Sequence, residues 1–64
     1  MPIITIQMSK GRTHEQKAEL VKQFTTTAAA VLVCPEESID IVFVEVEGAN
    51  WAHGGKFYGS PLPL

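Results

Sequence analysis

The first residues of the chain alternate between two kinds of side chain. From Ile3 to Met8 one face is wholly apolar and the other is partly polar, and this period of two is typical of a β-strand. The two faces are Ile4, Ile6 and Met8 against Ile3, Thr5 and Gln7. Lys10-Gly11 interrupts the alternation, so we predict that the first strand ends before it.

A helical period follows. Thr13 with Gln16 three residues later is a capping-box pair, and Glu15 suits the positive end of the helix dipole. Cys34-Pro35 opposes further helix, which predicts a helix from Thr13 or His14 to about Val33. Apolar spacings of three and four predict its inward stripe: Leu20, Val21, Phe24, Ala28 and Val31. Residues 28–33 are apolar on every side, which is typical of a buried helix.

The segment from Ile39 to Val46 has apolar side chains on both faces and predicts a second strand. A strand, a helix and a strand in this order indicate parallel pairing with a right-handed crossover. One helix covers only one face of a two-stranded sheet. We therefore expect a second subunit to cover the other face.

The rest of the chain is rich in turn residues. Gly54-Gly55 supplies the positive φ angles of a tight hairpin, and Ser60 to Leu64 indicates an extended end. The predicted fold is α+β: a single domain over residues 1–64, made of a β-α-β protomer with a parallel two-stranded sheet, one long helix and a short C-terminal hairpin.

Composition supports an oligomer. A chain of 64 residues buries only about 60% of its unfolded surface on folding, so its own core is marginal. Cys34 is the only cysteine, which excludes an intrachain disulfide, and no Cys/His cluster has metal-ligand spacing. Since hydrophobic residues make up 45% of the chain, association of identical copies is the remaining way to hide apolar surface.

Charge and hydropathy exclude other classes of protein. The net charge of −2 and the five scattered basic residues give no footprint for nucleic acid. The uncharged run from Phe24 to Pro35 is well short of the ~20 apolar residues of a membrane span. No secretory signal pattern is visible, so we expect a cytoplasmic protein that does not act on membranes.

Pro2 is the main candidate for chemistry. Removal of Met1 would leave Pro2 with a free secondary amine. Such an amine has a pKa near ~8, and an apolar pocket lowers it because burial disfavours the charged form. Pro2 could then act as a neutral base at about pH 7.

Several segments resemble the 4-oxalocrotonate tautomerase family at the family's spacing. They are Pro2-Ile3-Ile4, residues 11–17 (Gly-Arg-Thr-His-Glu-Gln-Lys), Cys34-Pro35 with Ser38-Ile39, and Asn50-Trp51 with Gly54-Gly55. The resemblance covers residues 2 to about 56. It implies β-α-β protomers that form dimers, usually assembled into hexamers, with no cofactor.

The resemblance also implies roles for residues. Pro2 would be the general base that moves a proton between the oxygen or a carbon of a dienol and a distant carbon. Arg12 would bind the carboxylate of a small unsaturated 2-hydroxy or 2-oxo acid such as 2-hydroxymuconate. Trp51 would occupy the place of a pocket phenylalanine and keep water from Pro2.

One departure from the family concerns Asp40. It stands where the tautomerases usually carry a second arginine that stabilises the developing oxyanion, and a carboxylate would repel that charge. A lysine, Asn50 or a backbone donor would have to replace the arginine. Two alternatives follow: a hydratase or dehalogenase of 3-haloacrylate-type acids, in which His53 or Asp40 activates water, and an oligomer without catalytic activity.

Overall fold

The computed structural model describes residues 2–59. Its elements are β1 (Ile3–Ser9), α1 (His14–Leu32), β2 (Asp40–Val46), β3 (Ala52–His53) and β4 (Lys56–Phe57), with single 3-10 turns at Glu36–Ser38 and Gly48–Asn50. This order confirms the predicted β-α-β protomer with a C-terminal hairpin. The predicted extended end at Ser60 to Leu64 lies outside the described residues.

The two long strands form a parallel pair, as predicted. Ile3 pairs with Asp40 at one end of the sheet and Ser9 with Val46 at the other. Side chains of one face are half-buried under α1, among them Ile4, Ile6, Ile41 and Phe43. The opposite face, which we call the outer face, carries Ile3, Thr5, Gln7, Ser9, Asp40, Val42, Val44 and Val46.

Both ends of α1 follow from local sequence. Thr13 is the N-cap: its hydroxyl accepts from Gln16 N at 3.1 Å, and the Gln16 side chain accepts from Thr13 N at 3.0 Å. At the other end Val33 adopts a left-handed conformation with φ 55°, and Cys34 N donates to Ala29 O at 3.1 Å. A left-handed β-branched residue is strained, and Pro35 prevents the helix from continuing past it.

The predicted inward stripe of the helix is covered only in part, since Val21 and Phe24 are each 39% exposed, and the prediction is wrong at Val31. Val31 is 73% exposed, whereas Thr25, Ala28 and Ala29 are half-buried. The inward face of the second half of α1 is therefore lined by small residues. The predicted burial of that half is not present in the isolated protomer.

The protomer has no core of its own. None of residues 2–59 is buried, and on the outer face Ile3 and Val42 are 64% and 47% exposed. The radius of gyration is 15.4 Å, against the roughly 11 Å expected for a compact domain of this length. Within the same residues no helix is long and apolar enough to cross a bilayer.

The C-terminal hairpin turns at Gly54 and Gly55, with φ angles of 60° and 83°, as the paired glycines predicted. The segment then returns along the turn that follows β2. Gly59 N donates to Gly48 O at 3.0 Å, and a Cβ built on Gly48 would lie 2.9 Å from Gly59 Cα. Only glycine allows these two backbones to lie so close.

Candidate active site

Pro2 and Asp40 lie at the same end of the sheet. The Pro2 carbonyl accepts a hydrogen bond from Asp40 N at 3.0 Å, and Pro2 is half-buried. The Asp40 side chain is exposed and belongs to the outer face. It forms no ion pair with any residue in the range 2–59.

Arg12 lies at the opposite end, in the loop that joins β1 to α1, and is exposed. The loop is tied to the end of β2, because Lys10 N donates to Val46 O at 3.1 Å. The Lys10 ammonium also pairs with Glu47 Oε1 at 3.2 Å. Among the described residues, Lys10 is thus already paired with a carboxylate, whereas Arg12 has no such partner.

Trp51 follows β2 and is half-buried. Its indole meets the Tyr58 ring edge to face, with centroids 5.2 Å apart and an interplanar angle of 80°. Tyr58 N donates to Trp51 O at 2.7 Å. The His53 ring lies 5.9 Å from the same tyrosine ring. These side chains form an aromatic cluster at the Arg12 end of the protomer.

Two open grooves share Trp51. The first, of about 290 Å³, is lined by Gln7, Val46, Asn50, Trp51 and Ala52. The second, of about 430 Å³, is lined by Ser9, Gly48, Trp51 and Tyr58. Each combines apolar surface with a polar group, which is the usual make-up of a small-molecule site.

The candidate residues therefore separate into two groups. Pro2 and Asp40 lie at the start of the strands, whereas Arg12, Asn50, Trp51 and His53 lie beyond their ends. β1 has seven residues between the groups, which corresponds to about 23 Å at ~3.3 Å per residue. One protomer cannot bring Pro2 and Arg12 to the same small molecule.

Sequence analysis missed Tyr58, although a signal for it exists. In the hairpin Ala52 pairs with Phe57 and His53 with Lys56, so the next pair outward is Trp51 with Tyr58. Counting outward from Gly54-Gly55 would have predicted this contact. Gln7 was assigned only to a strand face, and its place in the first groove required the position of the hairpin.

The titratable side chains do not form a metal site in the part of the chain that the structure describes. No three His, Cys, Asp or Glu side chains of residues 2–59 are grouped closely enough to hold an ion. The two titratable candidates from the sequence, Asp40 and His53, lie at opposite ends of the sheet.

Comparison with known proteins adds to this geometry. Residues 2–60 match the sequence family described as "Tautomerase enzyme". The chain belongs to the tautomerase family. The predicted resemblance is thereby confirmed, and the match begins at Pro2. Membership supports an isomerase-type enzyme.

Individual tautomerase relatives agree. A probable tautomerase of Ralstonia nicotianae is 40% identical over 55 residues, which cover 86% of this chain and 79% of that protein. The crystal structure of a 4-oxalocrotonate tautomerase homologue superposes with a TM-score of 0.87 at 33% identity, covering 91% of this chain and 92% of the other.

Two further solved structures of tautomerase-like chains bear on assembly and chemistry. One is described as a heterohexamer 4-oxalocrotonate tautomerase from Chloroflexus aurantiacus (TM-score 0.84, 34% identity, covering 91% and 94% of the two chains). The other comes from an analysis of trans-3-chloroacrylic acid dehalogenase activity (TM-score 0.80, 31% identity, covering 91% and 100%). Both are similar to this chain in fold and sequence.

Proposed function

We propose that this tautomerase-family chain isomerises small unsaturated 2-hydroxy or 2-oxo acids, of which 2-hydroxymuconate is the model. Pro2 is the general base once Met1 has been removed. The observation that carries the proposal is that the family match starts at Pro2, which is half-buried directly before β1. Removal of a single residue turns this position into a secondary amine.

The reaction needs no redox step. The neutral Pro2 amine accepts a proton from the 2-hydroxyl group of the dienol, and the electron pair moves along the conjugated chain. The prolinium then returns a proton to a distant carbon. Arg12 binds a carboxylate of the substrate through charge-assisted hydrogen bonds, and the Trp51 indole limits the access of water.

Such a site requires more than one copy of the chain. Arg12 and Trp51 lie about 23 Å from Pro2 along β1, so they would come from a neighbouring copy. The absence of any buried residue in 2–59 supports association, and the exposed outer face is the surface to be covered. We infer dimers assembled into a homohexamer, working in the cytoplasm as a single-domain chain without a cofactor.

The mechanism also requires a hydrogen-bond donor to the 2-oxygen, on which negative charge develops. With Asp40 beside Pro2, the charge on the 2-oxygen needs a donor from the other group of residues. Asn50 is exposed and lines the first groove, so its amide is the proposed donor. Lys10 is a weaker choice because its ammonium is paired with Glu47.

The test begins with the intact mass of protein from its native host, which shows whether Met1 is removed. Ketonisation of 2-hydroxymuconate is then followed by ultraviolet absorbance. Pro2→Ala should lower the rate by about 10²- to 10⁴-fold, the usual contribution of a positioned acid–base group. Pro35→Ala is the matched control and should retain the parent rate. Equal rates for the parent and Pro2→Ala would remove the tautomerase proposal.

The alternative function is hydration or dehalogenation of a 3-haloacrylate, favoured by the similarity to the dehalogenase-related structure. His53 or Asp40 would activate water for addition at C3, prolinium would protonate C2, and the halohydrin would release halide and a proton. Halide release from 3-chloroacrylate that is lost in His53→Ala or Asp40→Asn would support this reading. If protein from the native host retains Met1 and neither substrate reacts, a non-catalytic oligomer is the remaining interpretation.

A further inference from the structure

We propose that Tyr58 is a positioning residue that holds the Trp51 indole as the wall between the two grooves. The position of the indole thereby limits the size of the substituent that a substrate can have at a position remote from its reacting carbons. The inference rests on the proposed function, because it assumes that the grooves beside Trp51 receive the substrate. Tyr58 belongs to neither of the two groups of candidate residues, and the proposal gives it a role in specificity.

The contact between the two rings is built into the hairpin. Trp51 and Tyr58 continue the β3–β4 register, so their side chains lie on one face. Tyr58 N donates a hydrogen bond to Trp51 O at 2.7 Å, and the two rings meet edge to face with their centroids 5.2 Å apart. Aromatic rings prefer this edge-to-face geometry, so the pair resists rotation of the indole.

The backbone that carries Tyr58 is also fixed. Gly59 N donates to Gly48 O at 3.0 Å, and Trp51 N donates to the same carbonyl at 3.2 Å. Gly48 and Gly59 are too close for either to carry a Cβ without a shift of the backbone. Tyr58 lies between these anchored residues, and its ring also lies 5.9 Å from His53. The backbone that carries the 62% exposed Tyr58 ring is therefore held beside the indole.

The position of Trp51 decides the shape of both grooves. Its indole lines the groove beside Gln7 and Asn50 as well as the one beside Ser9, but Tyr58 lines only the latter. Loss of the Tyr58 ring would let the indole turn into the vacated space. The first groove would widen, and the two would become continuous. The kcat/KM for acids with an aryl substituent would then rise relative to that for narrow linear diacids.

Trp51 offers a direct measurement, because it is the only tryptophan in the chain. In Tyr58→Ala, we expect the indole emission to shift to longer wavelength and to be quenched more readily by iodide. Tyr58→Phe keeps the ring and should behave like the parent. Phe57→Ala removes a ring from the other face of the same strand and is the matched control. Parent-like emission and quenching in Tyr58→Ala would overturn the proposal.

Specificity is measured as the ratio of kcat/KM for the enol form of phenylpyruvate to that for 2-hydroxymuconate. We expect Tyr58→Ala to raise this ratio about two- to tenfold, mainly through KM, which corresponds to the loss of one aromatic pair. Tyr58→Phe should restore the parent ratio. An unchanged ratio in Tyr58→Ala, despite altered emission, would overturn the specificity role.

The same comparison can be made without turnover. Quenching of Trp51 by the two acids in the Pro2→Ala background gives two dissociation constants, and Tyr58→Ala should change their ratio in the same direction. This binding ratio separates the two proposals. Equal ketonisation rates for the parent and Pro2→Ala would refute the proposed function, whereas an unchanged binding ratio would refute the role of Tyr58.

Discussion

The two ends of the protomer differ in charge and in chemistry. Around Pro2 the neighbouring charges are acidic: Asp40 starts β2, and Glu36 and Glu37 occupy the turn before it. The last turn of α1, which ends on the same side, contains no basic residue. At the other end lie Arg12 and the aromatic cluster. Neither end alone therefore carries both the proposed base, Pro2, and the proposed carboxylate binder, Arg12.

The helix dipole strengthens this contrast. α1 runs back along the sheet, so its N-terminus lies near the Arg12 loop and its C-terminus near the start of the strands. The partial positive charge at a helix N-terminus favours anions, and the partial negative charge at the other end favours cations. In the proposed mechanism, an acid substrate would be attracted to one end of a protomer, and a protonated Pro2 would be stabilised at the other.

Among the variants that keep Pro2, removal of the Arg12 cation is expected to give the largest effect. Arg12→Ala should raise KM for 2-hydroxymuconate by about 10- to 100-fold, because hydrogen bonds to a charged partner contribute more than neutral ones. Lys22→Ala removes an exposed charge from α1 and is the control. Steady-state kinetics on both variants tests this prediction. A KM for Arg12→Ala equal to that of Lys22→Ala would show that Arg12 does not bind the carboxylate.

A smaller effect is expected from disturbing the aromatic end alone. Gly48→Ala places a Cβ 2.9 Å from Gly59 Cα, so the hairpin must shift. We expect a loss of about 1–3 kcal/mol in the free energy of unfolding, typical of overpacking at a close contact, with altered Trp51 emission. Ala49→Gly is the control beside it. Unfolding in urea at parent-like midpoint would contradict the described contact.

The smallest of these three effects is expected for the Asp40 carboxylate, which starts β2 at the same end as Pro2. A carboxylate near an ammonium favours the charged form, so Asp40 should raise the pKa of the Pro2 amine. Asp40→Asn should move the acidic limb of the kcat/KM profile for 2-hydroxymuconate down by about one pH unit, since the neutral base then persists to lower pH. Glu19→Gln, which removes an exposed carboxylate from α1, is the control. If the acidic limb moves equally in both variants, or moves in neither, the Asp40 carboxylate does not raise the pKa of the Pro2 amine.

Much of the fold could be predicted because its signals are local. The capping box at Thr13, the stop at Cys34-Pro35 and the turn at Gly54-Gly55 each act within a few residues, and all three are present. The burial of Val31 was predicted wrongly. Apolarity on every side of a helix indicates burial somewhere, but it does not tell whether the protomer or another copy provides it.

Less of the candidate site than of the fold could be predicted from the sequence. Pro2, Arg12 and Trp51 could be chosen by residue type and spacing, and their roles stay predictions. Arg12 is kept from Pro2 by the length of β1, whose first and last residues lie about 20 Å apart, and Trp51 is placed at the Arg12 end by the parallel register of β2. Tyr58 was missed because its contact is made across a hairpin and depends on pairing rather than on residue type.

The central claim is that each site takes Pro2 from one copy and Arg12 from another. Chains carrying Pro2→Ala and chains carrying Arg12→Ala can be mixed in equal amounts, unfolded, reassembled and assayed with 2-hydroxymuconate well below the parent KM, where the higher KM of Arg12→Ala lowers the rate most. Random assembly gives about a quarter of the sites both parent residues, so activity should rise to about a quarter of the parent value. A mixture of Pro2→Ala with the double variant should remain inactive. No recovery beyond the separate variants would contradict the shared site.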